Sequence, residues 1–393
     1  MNITITGMGI ISSLGKNLEE NRNNLFSGST FISKPEYLQT NNNHFSIGEV
    51  KYSDKSLQEM SGEDHKGLSR SSYLSIVAAK EAIKNAGFDI DSYTGKIALI
   101  SGSTVGGMRE TEMLYKTYFQ NDTEENYLEN HEGASITEDL ADILKINLNI
   151  SVNTACSSSL NTIMCGARMI RNGLCDIAIV GGSDALSKFT LNGFNSLLLL
   201  DKEICKPFDR DRKGINLGEA AGYLILESES SAKNRNKTPI AKIAGYGNAN
   251  DAHHPSASSE EVNGLQLSMK KALKEAGLDP SEIDFINAHG TGTRNNDSTE
   301  IASMKKVFGD IPQFSSTKSL TGHCLAAAGV VESIFSIISL QENRPVFNYN
   351  FKNPIEDTLP YMGEIFNKEI RHIMNNSIAM GGFCSTLIFS KVS

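Results

Sequence analysis

The chain is poor in the residue patterns that bind metals or cross-link a fold. Its six cysteines, Cys156, Cys165, Cys175, Cys205, Cys324 and Cys384, include no C-x-x-C pair and no zinc-type spacing with histidine. No disulfide framework and no metal site is therefore expected, and 393 residues with so few cysteines read as a reduced protein. Residues 1–15 lack both a basic opening and a long apolar run, and nothing downstream approaches the roughly 20 apolar residues of a membrane span. The expectation is a cytoplasmic protein with no membrane span. Positive charge is also scarce: a formal net charge of −9 argues against nucleic acid or an anionic membrane surface as the main partner.

What is present describes a large soluble α/β protein. Hydrophobic residues make up 39% and charged residues 21%, an ordinary globular balance, and the length exceeds what one core normally holds. Residues 2–11 alternate like a strand that enters a glycine-rich turn, and residues 71–86 carry a helical stripe of Tyr73, Ile76, Val77 and Ile83 with Gly87 as its stop. Strands are expected at 96–100, 176–180 and 282–288, and helices at 264–277 and 330–340. The polar, acidic stretch 121–139 reads as an excursion or lid. This alternation predicts parallel α/β organisation. Residues 228–238 form the best linker candidate, dividing the chain at 1–236 and 237–393. The runs on either side, Ile3-Thr4-Ile5-Thr6-Gly7-Met8-Gly9 and Ile240-Ala241-Lys242-Ile243-Ala244-Gly245-Tyr246-Gly247, start alike and hint at two similar halves.

One stretch carries the chemistry. After a short strand-like run ending near Val152, Cys156 precedes a helix marked by Leu160, Ile163, Met164, Ala167 and Ile170, which Arg171-Asn172-Gly173 closes. A cysteine there is either one more buried small hydrophobe or a nucleophile, because free N–H groups and the helix dipole favour a thiolate. Two later glycine-rich loops each display a histidine just past a strand: His289 in Asn287-Ala288-His289-Gly290-Thr291-Gly292-Thr293, and His323 in Lys318-Ser319-Leu320-Thr321-Gly322-His323.

These motifs, with Val180-Gly181-Gly182-Ser183-Asp184, Pro207-Phe208-Asp209-Arg210-Asp211-Arg212-Lys213-Gly214, Leu217-Gly218-Glu219-Ala220-Ala221-Gly222 and Gly381-Gly382-Phe383, resemble an elongating, type II beta-ketoacyl-acyl-carrier-protein synthase of the thiolase-like condensing enzymes. The resemblance implies a duplicated thiolase-like fold in five αβαβα layers, usually dimeric, as a homodimer or a heterodimer with a related subunit. It also implies a decarboxylative Claisen condensation of an acyl-enzyme thioester with malonyl-acyl carrier protein, giving 3-oxoacyl-acyl carrier protein. No cofactor is implied, since the substrates ride on the carrier's phosphopantetheine arm. Cys156 would be acylated, His289 and His323 would hold the malonyl carbonyl, and Lys318 and Glu332 would set the imidazoles' charge and orientation. The backbone N–H groups of Cys156 and Met380 would form the oxyanion hole. Thr291, Thr293 and Ser256 would contact the arm, while Lys66, Arg70, Arg210, Arg212 and Lys213 would dock the acidic carrier on a locally basic surface.

One motif departs from the family. Where most members read Gly-Phe-Gly-Gly-Thr-Asn, this chain reads Ala379-Met380-Gly381-Gly382-Phe383-Cys384, so a flexible methionine replaces the aromatic acyl gate and leans toward a specialised polyene or polyketide pathway. Two other readings compete. A non-catalytic chain-length partner lacks the nucleophile, which this chain keeps; a thiolase needs a second, C-terminal cysteine, for which Cys384 is the one available, and a cysteine hydrolase needs a single histidine.

Overall fold

Alternate glycines let a helix lie directly on the first strand of each half. A Cβ at Gly7 would stand 2.3 Å from the Ala82 carbonyl oxygen, and one at Gly245 2.3 Å from that of Ala272, so only glycine permits either approach. The computed structural model that establishes this describes residues 2–64, 67–118, 130–259, 263–355 and 358–392. Its strands are β1 (Ile3–Ile11), β2 (Ile97–Gly102), β3 (Leu148–Val152), β4 (Ile177–Asp184), β5 (Ala220–Ser228), β6 (Ala241–Asn250), β7 (Phe285–Asn287), β8 (Gln313–Ser315), β9 (His372–Ile378) and β10 (Phe383–Ser390). The helices are α1 (Leu18–Leu25), α2 (Asp54–Ser61), α3 (Arg70–Ala86), α4 (Met108–Tyr118), α5 (Gly133–Leu144), α6 (Ser158–Arg171), α7 (Lys188–Ser196), α8 (Glu229–Asn234), α9 (Asn263–Ala276), α10 (Arg294–Phe308), α11 (Lys318–Thr321) and α12 (Ala328–Glu342).

The strands form one sheet in the order β3-β2-β4-β5-β1-β6-β10-β9-β7-β8. Read inward from either end, each half runs third, second, fourth, fifth, first. The pairing senses repeat as well. β2 is parallel to β3 and β4, and β7 to β8 and β9, while the remaining pairs, including the junction of β1 with β6, are antiparallel. The two similar halves suggested by the glycine runs are thus repeated in topology, although the sheet is mixed where a parallel one was expected.

Helices α3 and α5 cover the outer face of the first half, and α9 and α10 that of the second. Between the halves lie α6 and α12, which touch each other and both sets of strands. This gives the thiolase-like layering, with α12, buried from Ala328 to Leu340, at its centre. Residues 325–342 are long and apolar enough to cross a membrane by length and composition, contrary to the sequence reading, yet 89% of that stretch is buried, as a core helix must be.

Local expectations fare unevenly. The 71–86 helix is α3, capped at Ser69 by a bond from the Ser72 N–H and ended by Gly87 at φ 67°. In contrast, residues 133–139 are not an excursion: Ile136, Leu140 and Leu144 form a buried stripe that packs α5 on β2 and β3. Residues 121–129 lie outside the described residues. The linker candidate is likewise structured, because α8 folds back and Arg235 pairs at 2.6 Å with the buried Glu227.

Candidate active site

Cys156 is held by strain on one side and by a helix on the other. Ala155 has φ 50°, a left-handed conformation that a side chain disfavours by about 1–2 kcal/mol, and it turns the chain sharply into α6. The Cys156 carbonyl accepts a 3.1 Å bond from Ser377 Oγ on β9, so the second half braces the cysteine of the first. Only 8% of the residue is exposed. Burial pushes the thiol up to about 12, a push that Asp184 reinforces, and Lys318 with the N–H groups of Cys156 and Met380 counters it only in part. The expectation that the helix end makes a resting thiolate is thereby corrected: desolvation outweighs the helix terminus.

Both histidines come from the second half, His289 just past β7 and His323 just past α11. Their rings stand edge to face, with centroids 5.3 Å apart and planes at 85°. Both are buried, and both have pKa values held well below the usual histidine value by burial and then by the Lys318 charge; His323 lowers His289 further. They are therefore neutral. Lys318 Nζ lies 3.2 Å from His289 Nδ1 and donates to the His289 carbonyl at 2.6 Å. An ammonium offers only donors, so Nδ1 accepts and the imidazole proton sits on Nε2.

Lys318 completes an ion pair with Glu332, reaching from α11 to α12, and both side chains are buried. Burial raises the Glu332 carboxyl, and the Lys318 partner opposes that rise. The His289 loop is fastened from below, since Glu300 on α10 accepts the N–H groups of His289 and Gly290 at 2.8 Å each. Burial lifts Glu300 to about 7 in spite of these two bonds. His323 is fixed by its backbone, with its N–H on the Asn216 carbonyl at 2.8 Å.

A pocket of about 460 Å³ joins these parts, lined by Cys156, His289, His323, Thr291, Thr293, Ser256 and Met380. Every residue assigned by resemblance to chemistry or to the arm, apart from the supporting Lys318 and Glu332, reaches this one space. Thr291 and Thr293 share a 2.8 Å hydroxyl bond, and Met380 is half-buried in the turn between β9 and β10.

The docking set divides. Arg70 is 1% exposed and lies under the surface, bonded to Glu219 at 2.7 Å and to Asp54 at 2.6 Å, so it is a core ion-pair residue. Arg212, 6% exposed, spends its guanidinium on the carbonyls of Asp209, Thr293 and Arg294 and on Ser298. Neither can meet a partner. Arg210 and Lys213 are exposed, and Lys213 also lines the pocket. Lys66 lies outside the described residues. Sequence reasoning missed Leu198, Ile215, Arg294, Asn295 and Asn296, which line the same pocket. The last three directly continue the His289 motif and were findable there; Leu198, 86% exposed at φ 57°, carries no sequence signal.

A duplicated α/β sheet with a cysteine at the head of one central helix and two neutral imidazoles before the other defines a thiolase-like condensing enzyme. Residues 1–232 match the beta-ketoacyl synthase N-terminal domain and residues 240–352 the C-terminal domain. The 3-oxoacyl-[acyl-carrier-protein] synthase 2 of Staphylococcus aureus (strain COL) is 31% identical over 99% of this chain and 98% of its own. Among solved structures, the ishigamide ketosynthase/chain length factor superposes with a TM-score of 0.93 at 28% identity, covering 100% of this chain and 99% of that one. The ketosynthase ApeO in complex with its chain length factor ApeC, from Xenorhabdus doucetiae, gives 0.83 at 31% identity, covering 100% and 98%. The chain belongs to the beta-ketoacyl synthase family and is an acyltransferase of it.

Proposed function

We propose that this chain elongates acyl chains by decarboxylative Claisen condensation. Cys156 sulfur attacks the carbonyl of an acyl-carrier thioester, and the carrier thiol leaves with the proton that the cysteine gives up. Malonyl-acyl carrier protein then enters. Its carbon–carbon bond to the carboxylate breaks, carbon dioxide departs, and the electron pair becomes an enolate. The carbanion attacks the acyl-Cys156 carbonyl, whose oxyanion is met by the N–H groups of Cys156 and Met380. Collapse expels the Cys156 sulfur and leaves 3-oxoacyl-acyl carrier protein.

The observation that carries this reading is the pair of neutral, opposed imidazoles in one pocket with Cys156. With Nδ1 facing Lys318, His289 presents an Nε2–H donor, the group an enolate oxygen needs, and a neutral donor avoids protonating the carbanion. Lys318 and Glu332 keep the tautomer and orientation. Thr291, Thr293 and Ser256 are the proposed contacts of the arm, and Met380 the acyl gate. The reaction needs no cofactor, because carbon dioxide loss generates the carbanion. Acyl carrier protein is the proposed partner, met at Arg210 and Lys213, in a cytoplasmic protein built of halves 1–236 and 237–393.

The related ketosynthase/chain length factor structures support pairing with a related subunit, and a second copy of this chain is the alternative partner. The test supplies acyl- and malonyl-acyl carrier protein, with and without a candidate partner subunit, and follows acylated Cys156, carbon dioxide and 3-oxoacyl product by mass spectrometry. Acyl-Cys156 followed by 3-oxoacyl product supports the reading. A protein that never acylates Cys156 in either setting overturns it.

A further inference from the structure

Three directly paired residues form a polar row across the second half. Ser377 on β9 faces Ser385 on β10, and Ser385 faces Asn248 on β6, so their side chains share one face of the sheet. All three bond the start of α6. Ser377 Oγ donates to the Cys156 carbonyl at 3.1 Å, Ser385 Oγ accepts from Asn161 Nδ2 at 3.0 Å, and Asn248 Nδ2 donates to Asn161 Oδ1 at 3.2 Å. Asn161 Nδ2 also donates to Thr154 Oγ1 at 2.9 Å, one residue before the left-handed Ala155. One carboxamide thus joins the Cys156 turn to the second half with both its nitrogen and its oxygen. Two positions away, on the opposite side of the helix, Ser159 Oγ accepts the Val330 N–H at 2.9 Å, so the helix start is pinned from two sides.

The row also brackets Met380. Ser377 and Ser385 stand on the two legs of the hairpin whose turn presents that residue. The N–H groups of Cys156 and Met380 both act on the Cys156 sulfur, yet they belong to different halves. Bonds within one half cannot set the distance between them, and a strained turn such as that at Ala155 keeps its shape only where its surroundings over-determine it. Ser377 ties one leg of the hairpin to the Cys156 carbonyl. Asn161 ties the other leg to the turn itself.

We infer that Asn161, acting through Ser385 and Asn248, is a positioning residue that keeps the two oxyanion-hole N–H groups in register for acyl transfer at Cys156; this rests on the condensing reaction proposed above. Malonyl decarboxylation, whose developing charge falls to His289 and His323, does not depend on it.

Two rates are measured in each enzyme form at saturating substrate: acylation of Cys156 by acyl-acyl carrier protein, timed by intact mass, and carbon dioxide release from malonyl-acyl carrier protein with no acyl donor present. Their ratio is internal, so a partly misfolded variant does not distort it. Asn161→Ala is expected to lower the ratio of acylation to decarboxylation about tenfold, the scale of one or two hydrogen bonds. Ser385→Ala should lower it in the same direction by a smaller factor. The N161A/S385A double variant should fall no further than Asn161→Ala alone, because the two residues act through one bond. An unchanged ratio in Asn161→Ala, or single losses that multiply in the double variant, overturns the inference while leaving the reaction intact. If the unmodified enzyme never acylates Cys156, the proposed reaction itself falls.

Discussion

The two halves share strand order, pairing sense and glycine-packed helices, yet they fill equivalent loops with different chemistry. The loop after β2 places Ser103 and Thr104 on the buried Asp184, which also accepts the Ala326 N–H at 2.8 Å. That network is internal and closed. The loop after β7, its counterpart, carries His289 to the pocket. The central helices diverge in the same way, with α6 preceded by Cys156 and α12 by His323. A duplicated frame thus sets two helix starts and two loops around one cavity, and in the reaction proposed above each half specialises: the first would supply the attacking atom and a rigid bracket, the second the groups that manage charge on the incoming substrate.

The sharpest break of this division is Cys156→Ala, which should abolish condensation while malonyl decarboxylation, a second-half task, persists; loss of both activities would show the halves are not separable. Next in size, His289→Ala should cost about 10²–10³ in decarboxylation, the usual price of one oxyanion donor, whereas Ser103→Ala at the equivalent loop should change melting temperature and not decarboxylation. An equal kinetic loss in both variants ends the argument. Because both imidazoles are depressed below 6.5, the rate should stay flat as pH falls from 7.5 to 6, where an ordinary histidine would already be gaining its proton.

Gly7→Ala and Gly245→Ala test the shared frame. Each forces a Cβ against a backbone oxygen, so each should lose about 1–3 kcal/mol of stability by denaturant titration, and clearly unequal losses would mean the two helix contacts are not equivalent. The smallest effect is expected at Met380→Phe, a few-fold narrowing among acyl primers with decarboxylation nearly unchanged. A uniform slowing of every primer and of decarboxylation would place Met380 in the oxyanion hole alone.

Local signals were legible wherever short-range chemistry decides the outcome. Gly87 stops α3, Arg171-Asn172-Gly173 ends α6, and the three motif loops converge because each follows a strand or helix end. The burial of Arg70 was not legible, since its partner Glu219 arrives 149 positions later and an arginine at a helix start ordinarily faces water. Arg212 misled for the same reason: its partners are carbonyls, which leave no mark in a sequence. The antiparallel strands escaped because β1 and β5 are buried on both faces and so lack the alternation of a sheet with one wet face. At Cys156 the helix terminus was readable and the desolvation was not, because burial is a sum over both halves.

That desolvation has a consequence beyond catalysis. Peroxide attacks thiolates, not thiols, so a cysteine raised to about 12 is a poor target for conversion to sulfenic acid. Cys175, Cys205, Cys324 and Cys384 are pushed up to about 12 by burial as well. In the reaction proposed above, a Cys156 thiol kept un-ionised by burial would be spared by oxidants between turnovers.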